Sequence, residues 1–330
     1  MALGVEGVRI GTWTAPERLT GCTVVLPPPD TVGALAVRGG SPGTREAAAL
    51  GADGKVDVCH AVVLSGGSAY GLATADGVMR WLEEQGVGYP VHTARVPIVG
   101  ATIVLDASVA EPDTRPDAAA GRAACEAASA DDPPEGSVGA GAGCTVAKVG
   151  GLEHAWRGGQ GLAVVEAAGV TVGALVANNA VGEVIDDDGT WIARARIPDD
   201  APRYPTHGRD LGASGEADPH GGDADEAADG RSGPTANTVI GCVVTNATLT
   251  KRQAHRVADL AHSGMARALR PVHTERDGDA LFCLATGRGP AIPTTLDLVA
   301  HLAVEAVAAA TRRGPRAAVG GGGLPGLAEA

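Results

Sequence analysis

The residues able to attack, hold charge or move a proton fall in a few short stretches. In SGPTANTVIGCVVTNATL, residues 232–249, a polar run ends at Asn237-Thr238 and a β-branched run begins at once. If the Asn237–Thr238 peptide breaks, Thr238 becomes an N-terminus at the mouth of a sheet. Its α-amine, with an ordinary pKa of about 8, can then accept the proton of its own hydroxyl. A threonine that simply opens a strand after a loop accounts for the same residues. Downstream, HTERDGDALFCLATG carries Asp277 and Asp279 two apart. In extended chain they share a face, where two carboxylates can orient an amine and a hydroxyl; an Asp-Gly turn is the alternative. Lys148 closes SVGAGAGCTVAKVGG in a chain that otherwise prefers arginine. It reads as a positioned cation or proton donor, or as a strand-end lysine reaching water. Asn179, inside VANNAVGEVI, must find hydrogen-bond partners if buried. It can serve an oxyanion or a neighbouring strand. Gly66, Gly67 and Ser68 in LSGGSAYGL stand where a strand passes into a helix, whose first amides can receive a carboxylate or oxyanion. The phosphate-loop pattern is absent from that stretch.

The elements that must position these residues read as short buried strands punctuated by Gly, Pro and Asp. Strands are expected at Cys22–Leu26, Thr31–Val37, Ala61–Leu64, Ile98–Leu105, Val138–Val149, Leu162–Val170, Val172–Ile185, Thr238–Val244 and Ala280–Leu284. Helices are expected at Ser68–Gln85, Arg115–Ala130, Thr250–Leu269 and Thr294–Arg313. The third opens on a Thr250/Gln253 capping box, and the fourth has Pro293 just before it. Asp199–Ala236 is polar, acidic and almost free of aliphatic residues, and reads as a solvated, disordered loop. Strands and helices interleave without a strict βαβ rhythm, which suggests an α/β fold of layered sheets flanked by helices. The 330 residues suit one large domain.

A net charge of −13 and 2% aromatic content argue against nucleic acid or an anionic membrane as partner, since both need a basic face. No apolar run is long enough to span a bilayer, and no secretory signal is visible at the N-terminus. Six scattered cysteines without a C-x-x-C pair indicate a reduced, cytoplasmic setting and neither a disulfide framework nor a zinc site.

RGGSPGTRE, LSGGSAYGLATADGVMRWLEE, VGAGAG leading to Lys148, ALVANNAVGEV, NTVIGCVVTNATLT and HTERDGDALFCLATG follow one another in an order that resembles the P1-type peptidases. This is the S58 or DmpA-like group of L-aminopeptidase/D-esterases, β-aminopeptidases and nylon-oligomer hydrolases. The resemblance covers nearly the whole chain. It implies an αββα sandwich of Ntn-hydrolase type that matures by cutting itself between Asn237 and Thr238, into a 1–237 α piece and a 238–330 β piece. Thr238 matches the nucleophile, Asp277 and Asp279 the acids that orient it, Asn179 an oxyanion-stabilising asparagine and Lys148 a lysine catalytic in the nylon-oligomer branch. No cofactor is implied, the substrate is a small peptide or amide, and a homo-oligomer, a tetramer or larger, is the expected assembly. Two features depart from the aminopeptidase branch: the nucleophile is Thr rather than Ser, and Leu105 stands where some members have tyrosine. An aminopeptidase is the first reading and an endo-acting hydrolase of linear oligoamides the second. An acetyl-transferring relative and a non-enzymatic module binding an anion at Gly66–Ser68 are further alternatives.

Overall fold

The computed structural model describes residues 1–111, 113–201, 237–288 and 294–330. Ten strands build two five-stranded sheets. They are β1 (Arg9–Ala15), β2 (Thr20–Leu26), β3 (Val32–Val37), β4 (Thr44–Arg45), β5 (Ala61–Ser65), β6 (Val99–Ile103), β7 (Gly159–Ala167), β8 (Val170–Asn179), β9 (Thr238–Thr245) and β10 (Ala280–Ala285). The first sheet runs β1-β2-β5-β6-β4 and the second β7-β8-β9-β10-β3. Each has one parallel pair at its heart, β5 with β6 and β9 with β10, and antiparallel neighbours elsewhere. Four helices flank them: α1 (Thr74–Glu84), α2 (Ala118–Glu126), α3 (Lys251–Ala268) and α4 (Leu296–Arg316).

Side-chain alternation assigns the layers. Ile240, Cys242 and Val244 of β9 join Phe282, Leu284, Leu175, Val62 and Leu64 in the apolar layer between the sheets. The intervening Val239 and Val243 pack against Val257, Ala261 and Met265 of α3 and Ala303 and Ala306 of α4. On the far side Val24, Val63 and Val99 meet Val78 and Leu82 of α1 and Ala120 and Ala124 of α2. The order is helix, sheet, sheet, helix. Strands buried on both faces explain the near-continuous Val, Ile and Leu runs of the sequence.

Local chemistry sets the boundaries. The α3 capping box forms as read, Gln253 N donating to Thr250 Oγ1 at 3.3 Å and Thr250 N to Gln253 Oε1 at 2.9 Å. Helix α2 is shorter than the expected Arg115–Ala130 because Pro116 and the Asp117 cap, which accepts from Ala120 N at 3.0 Å, begin it at Ala118. The expected Ser68–Gln85 helix is a 3₁₀ segment, Ser68–Ala73, followed by α1. Ala168 and Gly169 both take left-handed dihedrals and make the tight turn that joins β7 to β8, so that β7 ends at Ala167, three residues before the expected Val170.

Two expected strands break where the site needs them to. Val138–Val149 holds only a 3₁₀ turn, Gly139–Gly141, and a two-residue strand, Thr145–Val146, joined by irregular backbone. Its amides bond side chains of the first sheet, Gly139 N to Thr14 Oγ1 and Ala140 N to Thr23 Oγ1. The run Val172–Ile185 leaves the sheet at Asn179 and resumes as a separate strand at Glu183. In that gap Ala147 N and Lys148 N donate to the carbonyls of Gly182 and Val181, which draws Lys148 against the end of β8. The acidic stretch lies outside the described residues from position 202 onward, as does Pro293.

Candidate active site

Parallel pairing of β9 with β10 brings together residues forty positions apart in sequence. Ile240 is in register with Ala280, and just before the two strands Asn237 bridges Asp277. Gly278 N donates to the Asn237 carbonyl oxygen at 3.0 Å, and Thr238 Oγ donates to that same oxygen. Thr238 shares the parity of Ile240, so its hydroxyl points into the gap between the sheets. The hydroxyl and a backbone donor therefore converge on one buried carbonyl, that of the Asn237–Thr238 peptide.

The DGD segment is held from two sides. Arg38 N donates to the Asp279 carbonyl and Ser41 N to the Asp277 carbonyl, each at 2.9 Å. A side chain at Gly39 would put Cβ 2.1 Å from Asp277 O and 2.4 Å from Asp279 N. The RGGS motif is thus a backbone clamp that glycine alone can make this close.

The two carboxylates do different work. Asp279, fully buried, accepts from Val239 N at 2.6 Å through Oδ1. Its Oδ2 takes His273 N at 3.1 Å and lies 2.7 Å from His273 Nδ1. Asp279 thus lies on the helix side of the sheet and fixes the backbone behind Thr238, not its hydroxyl. His273 is itself packed edge-on to the buried His262, with ring centroids 4.9 Å apart; burial pushes His262 down to about 4. Asp277 Oδ2 accepts from Thr274 N at 2.7 Å and Thr274 Oγ1 at 2.6 Å. Its pKa is raised, first by burial and then by the neighbouring Asp279 charge.

Asn179 is the antiparallel partner of Thr238 across β8 and β9, so the two side chains share a face. Its Oδ1 accepts from Thr145 N at 2.9 Å and Lys148 Nζ at 3.2 Å, and its Nδ2 donates to Leu105 O at 3.1 Å. That network sets the amide's orientation and presents Nδ2 as its donor side. Lys148 Nζ also donates to Asn179 O at 2.9 Å. Burial depresses its pKa to about 7, against the opposing pull of Cys144 and Asp277. Lys148, Asn179, Asp277 and Thr238 are one cluster.

Gly66, Gly67 and Ser68 sit beside it but are occupied. Their amides donate to Gly21 O at 2.8 Å, Asp106 Oδ1 at 2.8 Å and Val104 O at 3.0 Å. Asp106, whose other oxygen accepts from Thr20 Oγ1 at 2.6 Å, follows Leu105 directly. In this conformation the loop braces the Leu105 carbonyl that meets Asn179, and its amides are spent there. The sequence reading missed His273; its signal was a histidine six residues before Asp279 in a segment already read for its acids. A cavity of about 380 Å³ opens beside the cluster, lined by Lys148, Val149, Val181, Asn237, Thr274, Glu275 and Arg276.

Residues 3–320 match the profile of peptidase family S58. The chain belongs to that family. It is 40% identical over 315 residues to an uncharacterised aminopeptidase of Mycobacterium tuberculosis, covering 91% of this chain and 85% of the relative. It is 32% identical over 290 residues to a 6-aminohexanoate-oligomer endohydrolase of Agromyces, covering 88% and 75%. The fold matches a Burkholderia β-aminopeptidase with a TM-score of 0.69 at 22% identity, over 98% of this chain and 90% of that one. It also matches the L-aminopeptidase D-Ala-esterase/amidase of Ochrobactrum anthropi with a TM-score of 0.66 at 19% identity, over 96% and 85%. The layered architecture is therefore the αββα sandwich of the Ntn-hydrolase type, and the S58 chain is a hydrolase of amide bonds. Among the described residues no helix is long and apolar enough to cross a membrane, and no cluster of His, Cys, Asp or Glu has the arrangement of a metal site.

Proposed function

We propose that this S58 chain cuts itself between Asn237 and Thr238 and then works as an aminopeptidase on small peptides or amino-acid amides, with Thr238 as nucleophile. The observation that carries the reading is the convergence of Thr238 Oγ and Gly278 N on the Asn237 carbonyl oxygen. Oγ adds to the Asn237 carbon and gives up its proton, for which Lys148, at about 7, is the nearby base. The C–N bond breaks, leaving an ester on Oγ and an amine on Thr238. Water opens the ester, and Asn237 ends the first fragment as a carboxylate. In turnover the new amine takes the Oγ proton as the hydroxyl attacks a substrate amide, then gives it to the leaving nitrogen. Gly278 N holds the developing oxyanion, and Asn179 Nδ2, which donates to Leu105 O in the uncut chain, is the side-chain donor assigned to join it, at about 3 kcal/mol for a well-placed donor. Asp279 holds the backbone behind Thr238 through Val239 N, and Asp277 holds the turn before Gly278 through Thr274.

The relatives named as aminopeptidases support exo-acting hydrolysis. The likeness to oligoamide endohydrolases, together with Thr238 and Lys148, supports endo-hydrolysis as the second reading. A cytoplasmic setting fits the six buried, unpaired cysteines. The exposed Tyr89, Val91 and Val96 on the hairpin Tyr89–Val96 give copies of the chain an apolar face on which to assemble.

The test is mass spectrometry of active material. Two fragments, 1–237 and 238–330, are expected, with the smaller beginning TVIGCVV. Thr238→Ala abolishes both cutting and hydrolysis, and Thr238→Ser retains part of each. Full activity in an uncut chain refutes the reading.

A further inference from the structure

Self-cutting and turnover are attacks by one hydroxyl on a carbonyl held by the same donors. A substrate carbonyl must therefore lie where the Asn237 carbonyl lies. Its acyl part occupies the Asn237 side of the bond, and that side is the 380 Å³ cavity. Most acids near this space are engaged. Asp279 takes Val239 N and His273, Asp277 takes Thr274, and Asp106 takes Thr20 and Gly67. Glu275 differs. The residue lines the cavity and is exposed, and its carboxylate makes no hydrogen bond or ion pair among the described residues. Its backbone is pinned, the carbonyl accepting from Ser41 Oγ at 3.0 Å, and Gly40 packs so closely that a Cβ there would meet Glu275 O at 2.4 Å. An unpaired negative charge on a fixed stretch of chain, at the rim of the acyl space, is built to receive a cation.

We propose that Glu275 binds the free ammonium group of the substrate's first residue and so restricts the enzyme to removing one aminoacyl unit at a time. This rests on the reading of Thr238 as the self-released nucleophile. An acyl group whose nitrogen is blocked, or continues as a chain, forgoes the charged contact, so Glu275 is a specificity-determining residue and not part of the bond-breaking step.

The experiment compares aminoacyl p-nitroanilides with their N-acetyl and N-succinyl counterparts on matured wild-type enzyme and on Glu275→Gln and Glu275→Asp. Wild type is expected to prefer the free amine. Glu275→Gln should lose about tenfold in kcat/KM on it, the scale of one charged hydrogen bond. The loss falls on KM, activity on the acetylated substrate is unchanged, and Glu275→Asp keeps most of the preference. Both variants should still yield two fragments. An unchanged free-to-acetyl ratio in Glu275→Gln overturns the assignment, as does a wild type that favours the succinyl substrate through Arg276 and Lys148. If the wild type hydrolyses p-nitroanilides while remaining uncut, the self-processing reading has failed instead, and the gel separates the two failures.

Discussion

Replacing Gly278 by alanine tests the carbonyl-holding geometry with a single methyl group. That methyl carbon would stand 2.8 Å from Ser41 O, 2.9 Å from Thr238 Oγ and 3.3 Å from Thr238 Cγ2. The Ser41 carbonyl cannot yield cheaply, because Ser41 N is tied to Asp277 O at 2.9 Å. Relief must come from rotation of the Thr238 side chain or withdrawal of the 278 amide. The first takes the hydroxyl off the Asn237 carbonyl, and the second lengthens the 3.0 Å bond to its oxygen. Removing one oxyanion donor costs about 3 kcal/mol, or 10²-fold and more in rate, so Gly278→Ala should slow self-cutting by at least about 100-fold. Precursor freshly made at low temperature is incubated, quenched in detergent, and its 330-residue band followed against the two fragments. Circular dichroism of the same samples establishes that the variant is folded. Ser41→Ala, which removes a hydroxyl but leaves the backbone clamp, is the control and should cut normally. Folded Gly278→Ala that cuts within about threefold of wild type would show that the amide does not hold the attacked carbonyl.

Two further substitutions separate proton transfer from positioning. Because burial holds Lys148 at about 7, raising the pH through that value turns ammonium into amine, and self-cutting should rise about tenfold per unit below it and level off above. Lys148→Met should remove that rise, and a flat profile with Lys148 present would exclude it as the acceptor. The same depression means that the unfolded chain binds more protons than the folded one between about 7 and 10.5, so stability should climb with pH across that window and gain in Lys148→Met below it. His273→Ala leaves Asp279 Oδ2 with the 273 amide as its remaining donor among the described residues. Stability should fall by about 1–3 kcal/mol and kcat by about tenfold at constant KM, with His273→Asn, whose amide nitrogen can replace Nδ1, restoring much of both. Equal kcat in His273→Ala and wild type would confine His273 to a structural role.

The sequence disclosed what depends on residue type and local period. Thr238, Asp277, Asn179 and Lys148 lie in one cluster, with Asp279 on the opposite face of the sheet behind Thr238, and the strand runs and capping box are visible in the amino acids themselves. What stayed hidden depends on contacts far apart in the chain. Val138–Val149 has the composition of a strand, yet its amides are taken by Thr14 and Thr23 from another sheet, which no local pattern announces. The run through Asn179 looks continuous, but its break at Ala180–Gly182 is fixed by the pairing of Ala147 and Lys148 with Gly182 and Val181. Gly66–Ser68 showed an anion-binding pattern, and only Asp106, some forty positions away, reveals that the middle amide is spent. His273 escaped notice because a histidine in a polar turn is unremarkable until Asp279 is seen to fold back on it.

One carbonyl position serving two reactions has a consequence for how variants should sort. Groups on the amide side of Thr238, such as Gly278, Asp279 with His273, and the Arg38–Ser41 clamp, hold the attacked carbonyl or the attacking residue whichever chain carries it. Their loss must impair cutting and turnover together. Groups that line only the space beyond the carbonyl, as Glu275 does, would meet a foreign acyl group in turnover, and their loss should spare the first reaction while altering the second. Lys148 divides the two in the opposite sense. Before cutting, the Thr238 nitrogen is an amide with no basicity, so another base must accept the hydroxyl proton; after cutting, the freed amine does it at closer range. A Lys148 variant matured by supplying the two pieces separately should therefore regain more turnover than the same variant left to process itself, and equal deficits by both routes would place Lys148 in turnover as well.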